Sequence, residues 1–186
     1  MNPQHPINLV DRWIDSIVIG LNLCPFAHRA KKHAQLRICL AKSARVVDCL
    51  QHLADEAALL TQADDQSTTL LVMPEGFSEF DDYLDLLAMA EALLDDLGYT
   101  GILQLASFHP HYQFDGTNPQ DASNWTNRAP FPILHLLTES SVSRAVDAHP
   151  DPENIPVRNI EKLEQLGTIG IEQLLLELPT NRKPDS

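Results

Sequence analysis

Residues 68–106, TTLLVMPEGFSEFDDYLDLLAMAEALLDDLGYTGILQLA, carry the pattern that decides the fold. Thr68 to Met73 is a β-branched and aliphatic run of strand length, and Pro74-Glu75-Gly76 is turn chemistry. From Ser78 to Leu97 apolar residues return at three- and four-residue steps among acids, which predicts an acidic amphipathic helix, and Gly98 supplies a left-handed stop. Gly101 to Ala106 reads as a second strand. Strand, helix and strand in that order predict a crossover onto a sheet.

The same alternation extends in both directions. Upstream, Leu9, Val10, Trp13, Ile14, Ile17, Val18 and Leu21 mark an amphipathic helix that stops near Asn22, with Pro25 beyond it. Leu36 to Leu40 has the length of a strand, and Ser43 can cap a helix running to about Leu60. Downstream, residues 115–130 have the Asp, Asn, Gly, Thr and Pro content of an irregular loop. Phe131 to Leu137 resumes a strand pattern after that loop rather than after a helix, so it is expected to run antiparallel to its predecessor. Ser140 or Ser141 can cap a helix to about Ala148, and further helices are read over 153–166 and 168–177. The expected architecture is a single α/β sandwich domain over 1–178. It has a mainly parallel sheet of about four strands with one antiparallel strand, a helical C-terminus, and a disordered tail over 179–186 from about Pro179.

Composition narrows the function classes. A chain of 186 residues with 44% hydrophobic content buries one sizeable core. The formal charge of −13 opposes nucleic-acid binding, which needs clustered cations. Between Asp15 and Asp48, however, there is no acid, while Arg29, Lys31, Lys32, Arg37, Lys42 and Arg45 fall inside. Such a basic segment on an acidic body either faces water or steers a small anion. Cys24, Cys39 and Cys49 share no paired spacing, which points away from disulfides and a zinc knot and toward a reducing, cytoplasmic setting, with Cys39 and Cys49 read as core. Asp11, Arg12 and Asp15 interrupt any leader-like run, and no apolar stretch reaches the ~18 residues of a membrane span.

The chemistry-bearing residues gather at strand ends. His109 and His111 lie two apart in an extended segment and so share a face. With His135 on a neighbouring strand they have the spacing of a three-histidine site for a divalent Zn or Fe ion. Asp115 and Glu139 are candidate oxygen ligands or general bases, and Tyr112 a pocket wall. The structural alternative is that each histidine satisfies a local hydrogen bond, with Pro110 shaping the strand end. Arg128, beside Asn127 in a stiff proline-bounded loop, suits bidentate capture of a carboxylate or phosphate, or else a salt bridge. Cys24, in Asn22-Leu23-Cys24-Pro25-Phe26 and followed by His28 and Arg29, has the cationic surroundings that favour a thiolate nucleophile, or is a small buried apolar residue.

Three segments together, NLCPFA at 22–27, FHPHYQF at 108–114 and NRAPFPILHLLTESSV at 127–142, resemble an uncharacterised bacterial family, domain of unknown function 1415. The resemblance extends from the first helix to about residue 178. It implies that Cys24, Pro25, His109, Pro110, Asn127, Arg128 and His135 belong to signature segments, and it carries no reaction. Thr138 stands where members of that family often have arginine.

Two functions follow. One is an enzyme acting on a small anionic metabolite, with Cys24, His109, His111, Arg128 and Glu139 as its chemistry and Asn22, Arg29, Tyr112 and Asn127 as binding groups. It works either with a divalent metal on His109, His111 and His135 or with Cys24 attacking and a histidine as base. The other is a non-catalytic binding or assembly protein with an acidic surface. Convergence of Cys24, His109, Arg128 and His135 on one pocket would favour the enzyme, and dispersal the binding protein.

Overall fold

The computed structural model describes residues 4–63 and 67–176, so the tail read from Pro179 lies outside the described residues. Four strands form one sheet, β1 (Leu36–Leu40), β2 (Thr68–Val72), β3 (Leu103–Phe108) and β4 (Ile133–Thr138), in the order β1-β2-β4-β3. The β1 and β2 pair is parallel, whereas β4 runs antiparallel to both β2 and β3. The expected mainly parallel sheet is therefore mixed. The loop that replaces a crossover helix before β4 lets the chain double back between two strands that point the same way.

Helices cover both faces. α1 (Gln4–Trp13) continues as a π-helix over Ile14–Ile19, and α6 (Ile155–Leu176) lies on the same side. Their Val10, Trp13, Ile17, Leu163 and Ile171 pack on Leu70, Val72 and Ile133. On the other face α3 (Val46–Leu60) and α4 (Phe80–Asp96) bring Leu53, Ala57, Tyr83, Leu86 and Ala90 against Leu71, Leu134 and Leu136. Alternation along a strand sends Leu70 one way and Leu71 the other, and all five positions of β2 are buried. Each fully buried Leu, Ile or Val among them contributes roughly 1.5–3 kcal/mol from apolar burial. Among the described residues, no helix is long and apolar enough to cross a membrane.

Several boundaries depart from the sequence reading for local reasons. β3 begins two residues late because Ile102 and Leu103 N–H both still bond the Tyr99 carbonyl around Gly101 (φ 74°). β4 begins after Pro132, the last residue of the segment without an amide proton. The Ser43 hydroxyl accepts from Arg45 N–H at 3.1 Å and turns the chain, so α3 starts at Val46. α4 starts at Phe80 rather than Ser78, behind an extended Glu79. α5 (Glu139–Ala148) is capped by Thr138, whose hydroxyl accepts from Ser141 N–H, and not by a serine. A short helix, α2 (Ala27–Lys32), forms where no helix was read. The break expected between the last two helices is present as Gly167 (φ 64°, ψ 165°) inside α6.

The first helix stops at Asn22, as its periodicity suggests. Asn22 has φ 54°, with Asn22 N–H bonded to Ile19 O and Leu23 N–H to Val18 O, both at 2.9 Å. This is a Schellman stop with asparagine in the left-handed position.

Candidate functional site

The carboxyl ends of β1, β2 and β3 share one edge of the sheet with the start of β4, and His109-Pro110-His111 leaves β3 at that edge. His109 is 0% exposed. Its Nδ1 accepts from the His111 amide at 3.0 Å, which places the ring proton on Nε2, and Nε2 donates to the Phe77 carbonyl at 2.9 Å. Phe80 and Tyr83 of α4 pack on the ring at 5.2 Å each, and burial pushes the imidazole below its ordinary value. Both nitrogens are committed, so His109 braces the rim. Tyr83 closes the same corner, its hydroxyl donating to Ile133 O at 2.7 Å and accepting from Phe108 N–H at 3.2 Å. His111 and Asp115 are exposed.

His135 belongs to the opposite face. It lies in register with Leu70 and Ala106, and its ring stands 6.1 Å from Phe108, on the side covered by α1 and α6. The Thr68 hydroxyl donates to Leu136 O at 2.7 Å and therefore accepts from His135 Nε2 at 2.5 Å. Burial lowers this imidazole to about 4. His109, His111 and His135 thus do not form the expected metal site, because alternation in a pleated sheet puts the third histidine behind the backbone from the first.

The remaining rim residues build the loop. Arg128 donates from Nε to Tyr112 O (3.1 Å) and from a terminal nitrogen to Pro119 O (2.6 Å), and it lies over the Trp125 ring at 4.7 Å. Its own carbonyl accepts from the Trp13 indole at 3.1 Å. Asn127 Nδ2 donates to Ser107 O (3.0 Å) and its carbonyl accepts from His109 N–H (3.1 Å). Tyr112 packs between Phe80 and Phe114, at 5.2 and 4.9 Å. Glu139 is at the other end of β4, where its amide bonds Ile102 O. The six residues of β4 at ~3.4 Å each keep it from His109 and His111.

Cys24 follows the Asn22 stop and is half-buried. Burial pushes its thiol up, opposed by the amides of Phe26 and Ala27, so the expected thiolate is not favoured. The basic segment around it is also dispersed. Lys31 pairs with Asp11 and Asp15 at 2.7 Å each, Arg37 pairs with Glu56, and Arg29, Lys42 and Arg45 are exposed.

Asn22 and Pro25 open instead on a cavity of about 310 Å³, walled further by Leu21, His149, Ile155, Arg158, Asn159 and Lys162. Asn159 clips α6 to this turn by donating to Leu23 O at 2.7 Å. Arg158 is steadied by Asp151, at 3.3 Å to its carboxylate and 3.0 Å to its carbonyl. Asp151 N–H in turn donates to His149 Nδ1 at 3.1 Å, leaving the ring proton on Nε2. Sequence reading missed these α6 residues. Their positions 155, 158, 159 and 162 repeat at the three- and four-residue steps of one helical face, which is the signal that was there to find.

A second group was also missed. Cys39, His52 and Glu56 each offer an atom within 4.8 Å of the others, the one group of metal-capable side chains found among the described residues. Burial lifts the Cys39 thiol to about 12, and the Arg37 guanidinium holds the Glu56 carboxyl below its ordinary value.

Comparison with known proteins adds one finding. No curated protein and no solved structure matches the chain. A family described as protein of unknown function (DUF1415) matches residues 5–173, from the first helix into the second segment of α6. The three signature segments and the cavity-lining residues all fall within that match, and the chain belongs to the DUF1415 family.

Proposed function

We propose that the protein binds a small anionic molecule, a carboxylate or phosphate compound, in the cavity between the Asn22–Pro25 turn and the first turns of α6. The observation that carries this reading is the approach of Arg158 and Lys162 to one 310 Å³ cavity of a protein whose formal charge is −13. A local positive spot in a negative field concentrates a small anion at close range. Arg158 is held in place by Asp151 and retains donors for a planar oxyanion, while Lys162 is exposed and adds a mobile charge. The amino-terminal end of α6 contributes a further positive potential. Asn22 and Asn159 add amide groups able to read the ligand's remaining polar atoms.

Binding is favoured over catalysis by the dispersal of the candidate catalytic groups. Cys24 lies on the cavity turn, whereas His109 and Arg128 are committed to the rim and His135 to the opposite sheet face. Thermal shift and calorimetry with inorganic phosphate, a dicarboxylate and a tricarboxylate test the reading. At least one should bind, and Lys162→Ala and Arg158→Ala should each weaken it by about tenfold or more, the worth of a charged hydrogen bond. Undiminished binding in the double variant, or none of the three anions binding the wild type, would remove the cavity from consideration.

A further inference from the structure

A different group of side chains lies where α3 crosses the edge strand β1, and it includes none of the residues that wall the anion cavity. We propose that Cys39, His52 and Glu56 bind one divalent ion of the zinc class. Cys39 projects from β1 toward α3, where it packs with the core beneath that helix. His52 and Glu56 are one turn apart on α3 and so share a face, with His52 Nε2 at 3.6 Å from Glu56 Oε1. One ligand atom from each of the three lies within 4.8 Å of the others. Ions of this class sit about 2.0–2.3 Å from such ligands, so small side-chain rotations close the ring.

Two features mark the group as more than packing. The Glu56 side chain is 3% exposed and that of His52 14%, so water does little to solvate either. His52 Nδ1 is buried with no hydrogen-bond partner, an uncommon state for an imidazole nitrogen. The ring nitrogen nearest Glu56 is Nε2, so a metal bond there uses the Nε2 lone pair and fixes the ring proton on Nδ1.

The donor set selects the ion. Thiolate, imidazole and carboxylate suit zinc and its cobalt surrogate, whereas magnesium and calcium prefer oxygen alone. On binding, the Cys39 S–H proton passes to solvent, a sulfur–metal bond forms, and no electrons change hands. Thiolate and carboxylate then neutralise the ion. Arg37, itself 58% exposed, donates to both oxygens of Glu56, from Nε to Oε2 at 2.7 Å and from a terminal nitrogen to Oε1 at 2.9 Å, and so orients the carboxylate whose Oε1 faces His52. Three protein ligands leave a fourth position for water, the arrangement of sites that do chemistry rather than only staple a fold.

The test uses tag-free, chelator-stripped full-length protein titrated with Co²⁺. One equivalent should raise a thiolate-to-cobalt charge-transfer band, and Zn²⁺ should bleach it. Cys39→Ala should lose the band and Cys24→Ala should keep it, with folding checked by near-ultraviolet circular dichroism. His52→Ala should weaken Zn²⁺ by more than about tenfold, since even residues behind a ligand shift affinity by about 10–100-fold. A measurement that needs no variant is protection from alkylation: Zn²⁺ should shield Cys39 selectively in peptide mapping of the wild type. A folded wild type that gives no band, a band that survives Cys39→Ala, or protection that falls on Cys24 or Cys49 would each overturn the site.

Discussion

Replacing His135 by glutamine should make the protein markedly more resistant to acid without much changing its stability at neutral pH. The wild-type imidazole titrates at about 4 in the fold against an ordinary value of 6.5, because burial disfavours its charged form. A depressed folded value means that the stabilisation is fully present above 6.5 and is lost as pH falls toward 4, while the unfolded chain takes up a proton that the folded one refuses. Between about pH 7.5 and about pH 4.5 this difference amounts to about 2.5 kcal/mol. Glutamine cannot titrate, yet it keeps an N–H donor for the Thr68 hydroxyl, so the cost at pH 7.5 should stay below about 1 kcal/mol. Urea unfolding of both proteins across this range is the assay. Every other titrating group is common to the two, so the gap between them should move by about 2.5 kcal/mol in favour of the variant as the solution is acidified. Parallel stability curves would show that His135 is not held neutral by its surroundings and would refute the reasoning.

Two further outcomes test the same account of polar groups in the fold. His109→Ala removes a fully buried ring and orphans the Phe77 carbonyl, and it should cost about 3 kcal/mol by denaturant titration while leaving anion affinity at the cavity unchanged; loss of binding at full stability would return His109 to the functional site. Arg37→Met should cost about 2–3 kcal/mol near pH 7 by stranding the Glu56 carboxylate, less than the loss of a wholly buried partner because Arg37 is 58% exposed. Glu56 is depressed in the wild type by its bonds to Arg37, so its contribution is present above the ordinary value of 4.5 and fades as pH falls through the folded value. The stability gap should therefore narrow in acid, and a penalty that ignores pH would show that the ion pair is not its source.

Much of the fold was legible because it rests on short-range patterns. The strands at Leu36, Thr68 and Leu103, the acidic helix closed by Gly98 and the stop at Asn22 follow from side-chain period and from residues suited to left-handed backbone. Caps were less legible. Ser43, Thr138 and Ser141 all carry a suitable hydroxyl, and only the path of the flanking chain decides which one meets an amide. Pairing direction was half legible: the loop before β4 announced a reversal, but its insertion between β2 and β3 gave two antiparallel pairs where a mainly parallel sheet was expected. Signature residues were the least legible, because Arg128, Asn127 and His109 bind backbone in the rim and their residue types alone suggest catalysis equally well.

The sequence by itself determined the family, the α/β class, most element positions and the charge imbalance, since each is read from composition or from short runs of neighbouring residues. Only the tertiary structure decided which side chains share a space. It set His135 and His109 on opposite faces of one sheet, drew α6 against a turn more than a hundred residues away, and laid His52 and Glu56 over Cys39. Such meetings depend on crossover path and strand order, which are fixed by the burial of whole faces rather than by any local run of residues.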